Sequence, residues 1–140
     1  MKRTKTPTFL IELPLRLVWG QERHVRGSLE AARCLYNALL GEANRRLHRM
    51  RNDPAWQEAC AITRTHKQER AQAFAALRKQ YRFSEYELHE YAKRARVSWI
   101  ADHIESTMAQ TLATRAYQAV NRLSRGQSKT SALSQSWQRA

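Results

Sequence analysis

Cysteine is scarce in this 140-residue chain: Cys34 and Cys60 stand alone, with no short spacing and no histidine pair placed to join them in a metal site. That usage fits small-hydrophobe packing in a reducing, cytoplasmic setting. Glycine is scattered at positions 20, 27, 41 and 126, which excludes a phosphate-cradling glycine loop. No serine nucleophile elbow and no cysteine–histidine dyad can be read. Nor is there an apolar run near the roughly 18 residues of a membrane span. The opening MKRTKTPTFLIELPLRLVW has the basic start and apolar stretch of a secretion signal. Glu12, Pro14 and Arg16 interrupt that stretch and no small-residue cleavage site follows, so a signal peptide is rejected.

Acidic residues are few as well, 12 against 25 lysines and arginines. Glu85, Glu87 and Glu90 form the tightest group, and helix capping explains them without catalysis. The five histidines, His24, His48, His66, His89 and His103, fall in no metal-ligand spacing. The expectation is therefore a protein with no complete catalytic site of its own, no cofactor and no metal.

What is abundant is arginine. The formal net charge is +13, and only six of the basic residues are lysines. A compact chain with that much like charge repels itself unless a polyanion offsets it, and nucleic acid is the first candidate. The planar fork of arginine suits phosphate oxygens. Every segment of the chain is net positive, which describes a broad phosphate-tracking surface and not a basic tail on a neutral domain. Interleaved aromatics could stack on unpaired bases, with Tyr81–Arg82–Phe83 the best placed in a loop beside Arg78 and Lys79.

Apolar and other residues alternate from Thr8 to Trp19, with Phe9, Ile11, Leu13, Leu15, Leu17 and Trp19 on one side. The period of two predicts a strand, and Pro14 restricts it to an edge. One strand alone cannot stand, so either it docks on the helices or its partners lie in another chain or in missing sequence. Gly20 to Gly27 reads as a polar link, with Ser28 as N-cap of a first helix. That helix carries Leu29, Ala32, Leu35, Leu39, Ala43, Leu47 and Met50 on one face and its arginines on the other. Asn52–Asp53–Pro54 stops it and starts a second helix, which runs to about Tyr81 with a polar, breakable middle over Thr63–Arg70. Ser84 with Glu87 opens a short third helix. Ser98 opens a long fourth, with Ile100, Ile104, Met108, Leu112, Ala116, Val120 and Leu123 in phase and Gly126 as its stop.

Three stretches together resemble the N-terminal part of the transposon-encoded TnpB (OrfB) family of RNA-guided endonucleases. They are TFLIELPLRL, then LEAARCLYNALLGEANRRL (Leu29 to Leu47), then HIESTMAQTLATRAYQAVNRLSRG (His103 to Gly126). The resemblance covers about Thr8 to Gly126, the first third of a typical member. It implies a wedge-barrel strand followed by a helical recognition lobe, which in that family hold a guide RNA and its heteroduplex. It also implies that catalysis belongs to a later RNase-H-like domain that this sequence does not contain. Where the family usually continues into a basic strand, this chain reads QSKTSALSQSWQRA, as a truncated, frameshifted or degenerate gene product would.

The expected architecture is thus mainly α: about four helices forming a recognition-lobe-like bundle over residues 28–126, an N-terminal arm with a partnerless strand over 1–27, and a tail over 127–140. The expected activity is transposase-like binding of an RNA or DNA backbone without nuclease chemistry, with no membrane association. Arg45, Arg46, Arg49 and Arg51 on the first helix are the expected contacts. Arg78, Lys79 and Arg82 follow at the next turn, then Arg115, Arg122 and Arg125 on the last helix. The alternatives are a helical interaction module whose strand pairs with a protein partner, and a gene remnant with no function.

Overall fold

Thirty-three consecutive residues, Trp19–Arg51, form one helix, α1, the longest element among residues 8–125 that the computed structural model describes. Five more follow: α2 (Pro54–Ala61), α3 (Lys67–Gln80), α4 (Glu85–Ala95), α5 (Trp99–His103) and α6 (Ser106–Ser124). The described chain is mainly helical, as its periodicity implies. The sequence expectation of four helices becomes six because two of the long ones break.

The first correction is the start of α1. The link expected over Gly20–Gly27 is helical, and Ser28 lies inside the helix instead of capping it. Gln21 reaches back to accept the Val18 N–H at 3.2 Å, one half of a capping box, and Glu22 pairs with Arg26 one turn on at 2.7 Å. These local contacts, with packing of the same turns on α5, outweigh the low helix propensity of two glycines. Ahead of α1, residues 8–18 carry no regular secondary structure, and the expected strand is not among the described elements. A strand without a neighbour has nothing to bond its ladder groups to. Residue 126 and the tail over 127–140 lie outside the described residues, as do residues 1–7.

Asp53 caps α2 by accepting the Ala55 N–H at 2.8 Å, with Pro54 in the first turn as the sequence suggested. The long second helix then breaks after Ala61. Thr63, Thr65 and His66 satisfy one another through side chains there, with Thr63 Oγ1 2.8 Å from His66 Nδ1. The fourth expected helix breaks between His103 and Ser106, and Ser98, at φ 55°, makes no side-chain cap bond. That break changes which face of the last helix is inside. Ala109, Ala113, Ala116 and Val120 are buried, while Met108, expected in the core, is exposed. Ser84 caps α4 through the Glu87 N–H, in agreement with its sequence pattern.

α1, α4 and α6 form a three-helix bundle. Gly27 of α1 touches the His103 ring at one end, and Arg51 donates to the Leu123 carbonyl at the other, so α1 and α6 run parallel. α4 runs against both: Glu85 at its start accepts from Thr114, while Arg96 just past its end donates to the Ile104 carbonyl. Short alanines on α6 permit close approach to Ala31, Leu35, Leu39 and Ala43 of α1 and to Leu88 and Ala92 of α4. The α2–α3 hairpin packs at the C-terminal end of α1, where the Tyr81 hydroxyl donates to Asp53.

The two mid-helix glycines of α1 separate packing from propensity. A Cβ on Gly41 would meet nothing within 4 Å, whereas one on Gly27 would lie 2.8 Å from His103 Cε1. Gly41→Ala should therefore raise unfolding stability by about 1 kcal/mol. Gly27→Ala should show a clearly smaller gain or a loss in the same urea titration, and equal gains would remove the α1–α5 contact from this account.

Candidate nucleic-acid interface

Helices α1, α3 and α6 end at the same place. The guanidinium of Arg78, in the last turn of α3, donates to Tyr117 Oη at 3.2 Å, Asn121 Oδ1 at 3.1 Å and Ser124 Oγ at 3.2 Å. Arg51 of α1 donates to the Leu123 carbonyl at 2.7 Å, and Arg46 donates to the Arg82 carbonyl at 2.8 Å. Each helix C-terminus exposes carbonyls with a partial negative charge, so three together attract cations.

The ten expected contact residues divide under this geometry. Arg46 is buried, paired with Glu42 at 2.7 Å and seated over the Tyr91 ring. Burial lowers its pKa, partly offset by the charge of Glu87. Arg78 is half-buried over the Phe83 ring. Both guanidiniums are committed within the protein, as far as the described contacts go. Arg45 is exposed but tied to Glu42. Arg51 stays exposed while capping α6.

Arg49, Lys79, Arg82, Arg122 and Arg125 are exposed, form no ion pair among the described residues and sit at the convergent end. Arg115 is equally exposed, but lies two turns back along α6. A groove of 380 Å³ runs beside the cluster, lined among others by Arg78, Lys79, Arg82, Ser84, Glu87 and Tyr117.

Arg82 occupies an unusual position. At φ 52° it is the left-handed residue that closes α3, with Phe83 N–H bonded to the Arg78 carbonyl and Arg82 N–H to the Lys79 carbonyl. This is the Schellman arrangement, in which glycine is the usual occupant. Of the aromatic pair around it, Phe83 is wholly buried against Tyr117, while Tyr81 is half-buried with its hydroxyl held by Asp53. That corrects the sequence reading of Tyr81–Arg82–Phe83 at Phe83, whose ring is closed to a base. The apolar faces of α1, α4 and α6 meet over Phe83, and no local pattern announces that.

Exposed cations omitted from the expected set lie elsewhere: Arg64 and Lys67 at the far tip of the α2–α3 hairpin, Arg16 and Arg23 ahead of and in the first turns of α1, and Lys93 and Arg94 at the end of α4, away from the convergent end. The polar run over Thr63–Arg70 was the signal for the first pair. Among the described residues, no three His, Cys, Asp or Glu side chains gather where they could hold a metal ion. No helix there is long and apolar enough to cross a membrane.

No protein-family model, curated protein or solved structure matches this chain.

The Asp53–Tyr81 contact that seats the hairpin beside this surface has a pH signature. The Tyr81 hydroxyl, then the Ala55 N–H, hold the Asp53 carboxyl below its ordinary value, and the same Asp53 bond raises Tyr81. The carboxylate's contribution to stability is present above about pH 4 and is lost as pH falls through the lowered folded value. The phenol's contribution is present below about pH 10 and is lost as pH rises through the raised value. Tyr81→Phe should be less stable than wild type by a constant amount between those limits, and the gap should close beyond each. Urea denaturation across pH measures it; a gap independent of pH contradicts the bond.

Proposed function

We propose that this chain binds a nucleic-acid backbone through the convergent ends of α1, α3 and α6, and contributes binding rather than chemistry. One observation carries the reading: five exposed cations without a carboxylate partner share one end of the bundle, beyond the arginines already committed to helix termini. Residues 8–125 hold 20 Lys and Arg against 12 Asp and Glu, so the charge excess is not confined to the termini. Phosphate is the ligand that suits such a cluster, since each neutralised phosphate also releases counterions. Arg82 adds weight. A long cationic side chain stands where glycine would relieve the backbone, and strain of that kind concentrates at functional positions.

The same reading accommodates the resemblance stated above. A helical module with a basic end, preceded by an apolar segment, is compatible with a TnpB-type recognition lobe behind a wedge-barrel strand, with guide RNA or its heteroduplex as the ligand. The second reading, a protein-interaction module, is favoured by a different observation, the exposed apolar segment ahead of α1.

Fluorescence anisotropy with RNA and DNA of unrelated sequence, across a salt series, tests the first reading. Arg49→Ala, Lys79→Ala and Arg122→Ala should each weaken binding to every sequence alike. Each should also lower the salt slope by about 0.9 for duplex DNA or 0.7 for single strands. Lys93→Ala and Arg94→Ala, at the other end, should leave both unchanged. Absence of binding at low salt, or equal loss from both ends, would overturn the assignment.

Arg82→Gly separates binding from folding. It should raise stability by about 1 kcal/mol by relieving the left-handed backbone, while weakening nucleic-acid affinity. A gain in stability with affinity intact would remove Arg82 from the interface.

A further inference from the structure

The segment ahead of α1 is the largest run of exposed apolar side chains in the described chain. Phe9 is 84 % exposed and Trp19 91 %, and Leu10, Ile11, Leu13, Leu15 and Val18 between them are exposed as well. Isolated exposed leucines need no explanation, but a contiguous run does. The segment has the period of a strand, and no strand lies beside it among the described residues. Among the described residues it lacks a partner, and its own sequence specifies one.

We infer that residues 10–18 pair antiparallel with the same segment of a second copy of this chain, centred on Pro14. In that register Glu12 lies opposite the partner's Arg16, and Arg16 opposite the partner's Glu12. The segment's only two charges are therefore neutralised twice over by symmetry. Every other pair is apolar on apolar. Leu13 faces the partner's Leu15, Ile11 the partner's Leu17, and Leu10 the partner's Val18.

Pro14 falls on the two-fold axis. There it sits in a non-hydrogen-bonded pair, so its missing N–H removes no ladder bond, and positions 12 and 16 occupy the same, closer class of pair. A shift of one position toward either end breaks this. Glu12 would then face a leucine of the partner, and the proline would be drawn into a hydrogen-bonded pair.

Side chains of the odd-numbered residues, Ile11 to Leu17, all fall on one face of the resulting ribbon. A two-stranded ribbon alone is marginal, so that face needs cover. Exposed Leu29, Val97, Trp99 and Met108 lie at the end of the bundle formed by the first half of α1, α5 and the start of α6, where the segment enters. The dimer thereby has apolar surface of its own chains on which the ribbon can rest.

Sedimentation velocity on the full chain, freed of nucleic acid by nuclease and measured over a concentration series, tests this. The wild type should associate to dimers. Glu12→Arg or Arg16→Glu places like charges opposite each other at two symmetric positions. Each should raise the dimer dissociation constant about tenfold. The double variant E12R/R16E should restore wild-type association, since it only exchanges the members of each pair. Circular dichroism should show unchanged helix in all four proteins, because the substitutions lie outside the bundle. A wild type that stays monomeric throughout overturns the inference, as does association that the single variants leave intact or the double variant fails to rescue. Association that persists after deletion of residues 8–18 would overturn it as well.

Discussion

Parallel helices put like dipole ends together, and the structure depends on how it meets that cost. α1 and α6 run side by side in one direction, and α3 finishes against the same end, so three sets of unsatisfied carbonyls meet. Antiparallel neighbours would cancel these dipoles; parallel ones need counter-charge. Arginines supply it from other elements. Arg51 of α1 donates to the end of α6, and Arg46 of α1 to the turn after α3. Arg78 reaches from α3 to polar side chains in the last two turns of α6.

The same device recurs away from that end. Arg70 of α3 donates to the Cys60 and Ile62 carbonyls, closing α2, and Arg96 donates to the Ala101 and Ile104 carbonyls, closing α5. Lysine could not do this as well. One guanidinium offers several donors in a fixed plane, so a single side chain can satisfy two carbonyls or bridge a carboxylate and a carbonyl, as Arg46 does. The shortage of lysine in the composition thus has a structural cause alongside any ligand. Part of the +13 charge belongs to the architecture, and what remains at the convergent end is the charge that still needs a partner.

Elements governed by neighbouring residues were legible in the sequence. Asn52–Asp53–Pro54 and Ser84 mark helix ends through bonds to their own next turn, and the structure has both. The inward faces of α1 and α6 were legible to within two positions: Leu29 and Met108 were placed inside and are outside, with Ala31 and Ala109 in their stead. Contacts between distant residues were not legible. Gly20 to Gly27 looks like a linker in sequence although the Val18–Gln21 and Glu22–Arg26 contacts there are local, because the His103 ring that packs on Gly27 lies far along the chain. Arg46 and Arg49 are indistinguishable in sequence, yet one is buried and the other free, because only Arg46 faces Glu42 and the Arg82 carbonyl. Charge counting found a positive excess in every segment and could not say which arginines are committed within the protein.

The two proposals occupy opposite ends of α1, and their separation gives them a common logic. A 33-residue helix is about 50 Å long, with the apolar segment entering at its first residue and the basic cluster at its last. A two-fold pairing at the first end therefore holds two basic ends well apart. A rigid pair of sites of that kind binds a long polyanion with an affinity set by spacing as well as by charge, since engaging one site raises the effective concentration of the other. A monomer would have only the local cluster, in which four or five phosphate contacts are easily displaced by salt. The stiffness of α1, unbroken through three glycines, is what would transmit geometry from one end to the other. A flexible link over Gly20–Gly27, as the sequence alone suggested, would have left the two ends uncoupled.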